Sequence, residues 1–156
     1  MSLRISGSVE AGAAWPHTCP VEVRLRNEGG EPLVVCRRLA IGYRESDGRE
    51  LFADVHPPGS EVVVSRTKKI YDRDPPPPED YVPLPPGKEL MGSFDLLRWY
   101  ALPGPGSYEL EIFYEGDGRG APAVEGILRG VHRSGRLTFE LPIASSFACD
   151  QPPVSE

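Results

Sequence analysis

The sequence has little of what most enzymes and nucleic-acid-binding domains depend on. Among 156 residues there are only three histidines and three cysteines. The cysteines, Cys19, Cys36 and Cys149, are odd in number and irregularly spaced. That excludes a fully paired disulfide framework and fits a reducing compartment. A structural zinc site is usually built on closely spaced pairs of Cys or His ligands, and His17-Thr18-Cys19 is the nearest approach to one. We therefore expect no metal and no cofactor. Cys36 follows a run of valines and reads as a small core residue rather than a nucleophile.

Other absences narrow the field further. No Gly-x-Ser-x-Gly and no His-Glu-x-x-His is present, and Gly87-Lys88 lacks both the earlier glycine and the following Ser or Thr of a phosphate loop. With catalytic patterns missing, the expectation is that the chain is not an enzyme. The net charge of −6 argues against nucleic acid and anionic membranes, because phosphate-rich surfaces are bound mainly through Lys and Arg. Arg129, His132, Arg133 and Arg136 form a local basic stretch that reads as a solvated hairpin face. Apolar runs such as Leu33–Cys36 and Val62–Val64 fall far short of the roughly 18 residues of a membrane helix. The start of the chain carries no apolar leader, so the cytoplasm is the default compartment. The only asparagine, Asn27, is followed by Glu28-Gly29, so it forms no glycosylation sequon.

What is plentiful is punctuation and alternation. The chain has 17 glycines and 18 prolines, clustered between short apolar runs in the manner of many strands joined by tight turns. Val21, Val23 and Leu25 alternate with Glu22, Arg24 and Arg26, the mark of a strand buried on one side. Tyr108, Leu110, Ile112 and Tyr114 repeat the pattern, as does the segment Leu137–Leu141. Weaker strands are expected at Leu3–Val9, interrupted by Gly7, and at Leu33–Cys36, Val62–Val64 and Leu90–Phe94. Leu39–Tyr43 and Leu51–Val55 are expected to form a hairpin through Asp47-Gly48. A short turn of helix is expected after Asp95, ended by Pro103. The reading is all-β, an antiparallel sandwich of about seven to nine strands. It occupies one domain over residues 1–156, with a flexible tail at about 145–156.

Two loops stand out. Asp74 and Glu79 flank four prolines, Pro75, Pro76, Pro77 and Pro78, which favour an extended, stiff connector. Together with Tyr81 they are the candidate partner-binding residues, since preformed polyproline helix is a docking element. The second loop runs from Glu115 to Gly135 and is expected to hold an extra strand near Ile127–Val131. Carboxylates gather in both loops, at Asp72, Asp74, Glu79 and Asp80 and at Glu115 and Asp117. The alternating Asp/Asn pattern of a dedicated calcium loop is missing, so they read as solvated charge.

Pro103-Gly104-Pro105-Gly106-Ser107-Tyr108-Glu109-Leu110 resembles the corner that precedes strand F in immunoglobulin-like domains. The resemblance implies that the Tyr108 hydroxyl bonds back to the upstream backbone and locks the corner, and that Val23 faces Leu110 across the core. The stretch from Leu84-Pro85-Pro86-Gly87 through Asp95-Leu96 and Trp99-Tyr100 to Gly106-Ser107-Tyr108 is similar to bacterial sandwich domains. Such runs occur in the non-catalytic sandwich beside deuterolysin-like metallopeptidases. The intracellular proteinase inhibitors of bacilli have a related layout, with a turn of the Asn27-Glu28-Gly29 type. These motifs are turn and corner residues, so they speak to fold and not to activity. The expected role is a non-catalytic binding or structural module that presents loops to a protein partner. The alternative is a proteinase inhibitor acting through residues 72–86 or 115–135, and less favoured is a small hydrolase or metal protein.

Overall fold

The computed structural model describes residues 3–10, 17–39, 41–42, 50–67, 76–117 and 121–142. Within them lie nine strands: β1 (Leu3–Val9), β2 (Pro20–Asn27), β3 (Leu33–Cys36), β4 (Ile41–Gly42), β5 (Leu51–His56), β6 (Tyr81–Leu84), β7 (Glu89–Asp95), β8 (Gly106–Tyr114) and β9 (His132–Leu141). Among the described residues, helix is confined to two single 3-10 turns, Pro78–Asp80 and Leu96–Arg98. The strands form one sheet in the order β1-β2-β7, a pair β3-β6, and a sheet in the order β4-β5-β8-β9. Every pairing is antiparallel except that of β4 with β5. The protein is all-β.

Alternation in β2 is realised as written: Val21, Val23 and Leu25 are fully buried while Arg26 is exposed. Val23 sits in a row between Gly7 of β1 and Gly92 of β7. Side chains directly opposite on an antiparallel ladder share a face, so both glycines leave gaps on the buried side. Each gap is filled from elsewhere. A Cβ at Gly7 would lie 2.6 Å from Ile112 Cδ1 on β8, and one at Gly92 would lie 3.0 Å from Leu39 Cδ1. Gly7 therefore does not interrupt β1, as the sequence suggests, but lets β8 approach it. Leu39 holds a left-handed φ of 48°, uncommon for a leucine, and packs onto Gly92.

β8 and β9 carry a bulge. Glu111 pairs with Arg136 but Phe113 with Arg133, so Ser134 and Gly135 together oppose Ile112. The Ile112 N–H donates to Ser134 Oγ at 2.9 Å, and Gly135 takes the left-handed φ of 77° that such a bulge requires. The extra residue puts Arg133 and Arg136 on one face, although regular spacing would set them on opposite faces. There they meet Glu111 and Glu109. That face is also covered: Phe113 and Glu111 are buried, with the Arg133 guanidinium 5.2 Å above the Phe113 ring. The one-sided burial expected of β8 thus fails over its last residues.

Other expectations need correction. β4 and β5 run parallel, so they are not the arms of a tight hairpin; Asp47-Gly48 lies outside the described residues. Val62–Val64 is not a strand: Val62 and Val63 are exposed, and only Val64 is buried, with its N–H on the Val55 carbonyl. No strand forms at 127–131, where Ile127 makes a single parallel bridge to Val34. The late loop is shorter than expected because β9 starts at His132. Two local readings hold. Asp95 caps the Leu96–Arg98 turn by accepting from Leu97 N–H, and the Tyr108 hydroxyl donates to the Gly104 carbonyl at 2.7 Å. The segments 145–156 and 68–75 lie outside the described residues.

Candidate functional site

A groove of about 840 Å³ opens between the β2–β3 turn and the loop that leads into β9. One wall is Gly30, Glu31, Pro32 and Leu33; the other is Gly126, Ile127, Leu128 and Arg129, with His132 at the end. A second cleft of about 440 Å³ adjoins it, sharing Gly126, Ile127 and Arg129 and continuing over residues 121–125 to Asp117. The floor is apolar because Leu33 and Leu128 are core residues and Ile127 packs against the core. Concave, apolar and ringed by a few polar groups, it is the ordinary form of a binding site.

Both walls are bonded into the fold. On the turn side, Asn27 is fully buried at the end of β2, and its amide NH2 donates to the Glu31 carbonyl (2.7 Å) and the Leu84 carbonyl (2.8 Å). Its Oδ1 accepts from Gly29 N–H, and its backbone exchanges bonds with Lys88 and Gly87. One side chain thereby ties the β2–β3 turn to the β6–β7 turn. On the loop side, Leu128 N–H donates to the Val34 carbonyl at 3.0 Å, which holds the loop along β3. Gly126 and Gly130 take left-handed φ values of 80° and 85° and turn the chain at either end of the wall. Gly130 N–H is held by Asp117 Oδ1, and His132 Nε2 lies 3.0 Å from the Arg129 carbonyl oxygen. Loop walls fixed in this way give a preformed site.

The chain matches no protein-family model, and no curated protein matches it. Its function must be read from the geometry.

The proposed partner-binding residues are not gathered in the groove. Pro75 lies outside the described residues, Pro76 is buried, and Pro77 and Pro78 are exposed. Pro78 opens the 3-10 turn rather than extending a polyproline helix. Tyr81 is buried in β6 and donates its hydroxyl to the Gly116 carbonyl at 2.7 Å. Arg37 clamps the same turn, with its N–H on the Asp80 carbonyl and its guanidinium on the Asp80 carboxylate. The histidines are dispersed as well. His17 is exposed while Cys19 is fully buried, and the buried His56 bonds the Val62 carbonyl through Nδ1. Among the described residues no three His, Cys, Asp or Glu side chains gather to hold a metal ion. No helix among them is long and apolar enough to cross a membrane.

One cluster escaped sequence reasoning altogether. Glu50, 2% exposed, receives a two-bond fork from Arg38, Nε to Oε2 at 3.2 Å and Nη2 to Oε1 at 2.8 Å. Cys36, Tyr81 and Tyr114 lie close enough for their charges to couple. Cys36 N–H donates to the Tyr114 hydroxyl at 2.7 Å. Burial, then the Glu50 charge, pushes the Cys36 thiol up to about 12, and burial raises Tyr81 and Tyr114 too. A thiol that resists ionisation is a poor nucleophile. Cys19 is likewise raised to about 11 by burial and by Asp95. Cys149 lies outside the described residues.

Proposed function

We propose that this chain is a non-catalytic protein-binding module on an immunoglobulin-like β-sandwich, and that it accepts a segment of its partner in the groove between Gly30–Leu33 and Gly126–Arg129. Three features support the sandwich. The β1-β2-β7 and β5-β8-β9 strand orders follow the two-sheet layout of such domains, Gly7 brings β1 against Ile112 and Leu137 of the other sheet, and Tyr108 makes the corner bond. The observation that carries the functional reading is the groove itself, an apolar floor held open by walls bonded to β3 and Asn27. Rigid loops lower the ordering cost of binding. A concave surface favours accepting a segment over inserting one, which argues against an inhibitory loop at this position.

Panning a random peptide library against the full chain tests the reading. Gly30 lines the groove, and a Cβ there meets nothing within 4 Å, so Gly30→Trp adds bulk at the groove's edge without a clash at Cβ and is chosen to obstruct it. Peptides enriched on the wild type are expected to lose binding to Gly30→Trp while both proteins keep the same urea midpoint. Peptides that bind both proteins equally, or the absence of any enriched peptide, would reject the groove as the contact surface.

A further inference from the structure

The arginines of the chain differ in how they are occupied. Arg4, Arg24, Arg26, Arg37, Arg38, Arg133 and Arg136 each lie within salt-bridge distance of a carboxylate. Arg129 has no carboxylate partner among the described residues, and it is exposed on the loop wall of the groove. Its backbone is fixed, since the loop is bonded to β3 at Leu128, to Asp117 at Gly130 and to His132 at its own carbonyl. The nearby Asp117 is already engaged by Gly130 N–H and faces the adjoining cleft. On the opposite wall stands Glu31. The groove is therefore polarised, with a cation on one rim, an anion on the other and an apolar floor of Leu33, Ile127 and Leu128 between them.

From this arrangement we infer that the groove binds an extended protein segment in which an Asp or Glu sits beside a branched or aromatic apolar residue. The apolar side chain enters between Leu33 and Ile127, and the carboxylate meets the Arg129 guanidinium. A guanidinium offers a planar fork that matches a carboxylate with two hydrogen bonds, and beside an apolar floor it is less screened than in open water. Glu31 repels a carboxylate placed on the far wall, so it sets the direction in which the segment lies. The chain's net charge of −6 disfavours broadly acidic partners, so recognition falls on one carboxylate in a defined place. This inference rests on the groove being the contact surface and adds the chemistry of its occupant.

The test uses peptides enriched from a random library on the full chain, synthesised in acidic form and as Asn or Gln counterparts. Affinities are measured by fluorescence polarisation on wild type, Arg129→Gln and Gly30→Trp. The acidic peptide is expected to bind wild type about tenfold more tightly than its amide counterpart, and this preference should vanish on Arg129→Gln. Glu31→Gln should weaken the directional preference and admit peptides with a second acid. If enriched peptides lack an acidic residue, or if Arg129→Gln keeps the acid preference, the carboxylate assignment is overturned while binding lost on Gly30→Trp still upholds the groove. Peptides that bind Gly30→Trp as well as they bind wild type overturn the groove and the carboxylate assignment together.

Discussion

Two parts of the molecule use the same chemistry, an arginine fork on a buried glutamate, but differ in how far the arginine is covered. At one, Arg38 and Glu50 meet under cover, with Glu50 2% exposed and Cys36, Tyr81 and Tyr114 packed nearby. At the other, Arg133 and Arg136 lie along the outer face of β8 and β9, paired with Glu111 and Glu109. The buried pair has given up hydration that the two-bond fork helps to replace. The outer ladder gives up less: Glu111 is buried too, but its partner Arg133 stays 62% exposed, and Arg136 and Glu109 are only part-buried. A salt bridge therefore reports its surroundings more than its partners. The same contrast explains why the buried cluster is a poor candidate site: its groups are committed to one another, whereas Arg129 is not.

The largest effect should come from breaking the buried pair. Arg38→Met leaves the Glu50 carboxylate without its fork, and a buried charge stripped of its partner costs about 3–5 kcal/mol. Urea denaturation should show that loss. The double variant Arg38→Met/Glu50→Leu should recover most of it, because two apolar residues of similar volume need no hydration. A single variant as stable as the wild type would mean that water reaches Glu50 and that the two regions do not differ as described.

Alkaline pH offers a second way to separate them. The folded Cys36 thiol titrates near 12 against an ordinary value of 9.0. Its folded value is raised, so its share of stability is complete below pH 9 and declines as pH rises toward 12, where the unfolded thiol ionises first. The slope is at most about 1.4 kcal/mol per pH unit for each such group. Tyr81 and Tyr114 act in the same direction above their ordinary value of 10.0. Cys36→Ala should therefore lose less stability than wild type between pH 9 and 11, read from urea midpoints at half-unit steps. Parallel curves would place Cys36 in contact with solvent.

How legible these regions were differs for a physical reason. β2, β9 and the start of β8 could be read because a strand with one buried side writes its burial as alternation, as Val21, Val23 and Leu25 do. The Tyr108 corner was readable because the bond spans four residues within one motif. Sequence spacing did not reveal the Arg38–Glu50 fork, since partners across a loop leave no periodic trace. The groove was hidden in the same way: its walls come from residues 30–33 and 126–129, brought together by the contacts of β3 with Ile127 and Leu128. The sequence does show Gly126, Gly130 and Gly135, but not that a bulge at Gly135 aligns Arg133 with Arg136. The prolines before Tyr81 suggest an exposed connector, whereas its ring is buried and its hydroxyl donates to the Gly116 carbonyl.

The smallest effect should come from the surface ladder. Arg136 donates to Glu109 at 3.0 Å and to the Ser60 carbonyl at 2.7 Å, and it lies 3.2 Å from the exposed Glu61. The hydrogen bond from Arg136 holds the Glu109 carboxyl below its ordinary value of 4.5. A depressed folded value contributes stability above the ordinary carboxylate range, and that contribution is lost as pH falls through the folded value. Arg136→Gln should therefore sit slightly below wild type at neutral pH and low salt. The two should converge as salt is added, because mobile ions screen exposed pairs, and again in acid once Glu109 is protonated. Urea midpoints at neutral and acidic pH, each at low and high salt, read both trends. A gap that persists in high salt would show that Arg136 acts through its bond to Ser60, anchoring the turn after β5 rather than balancing charge.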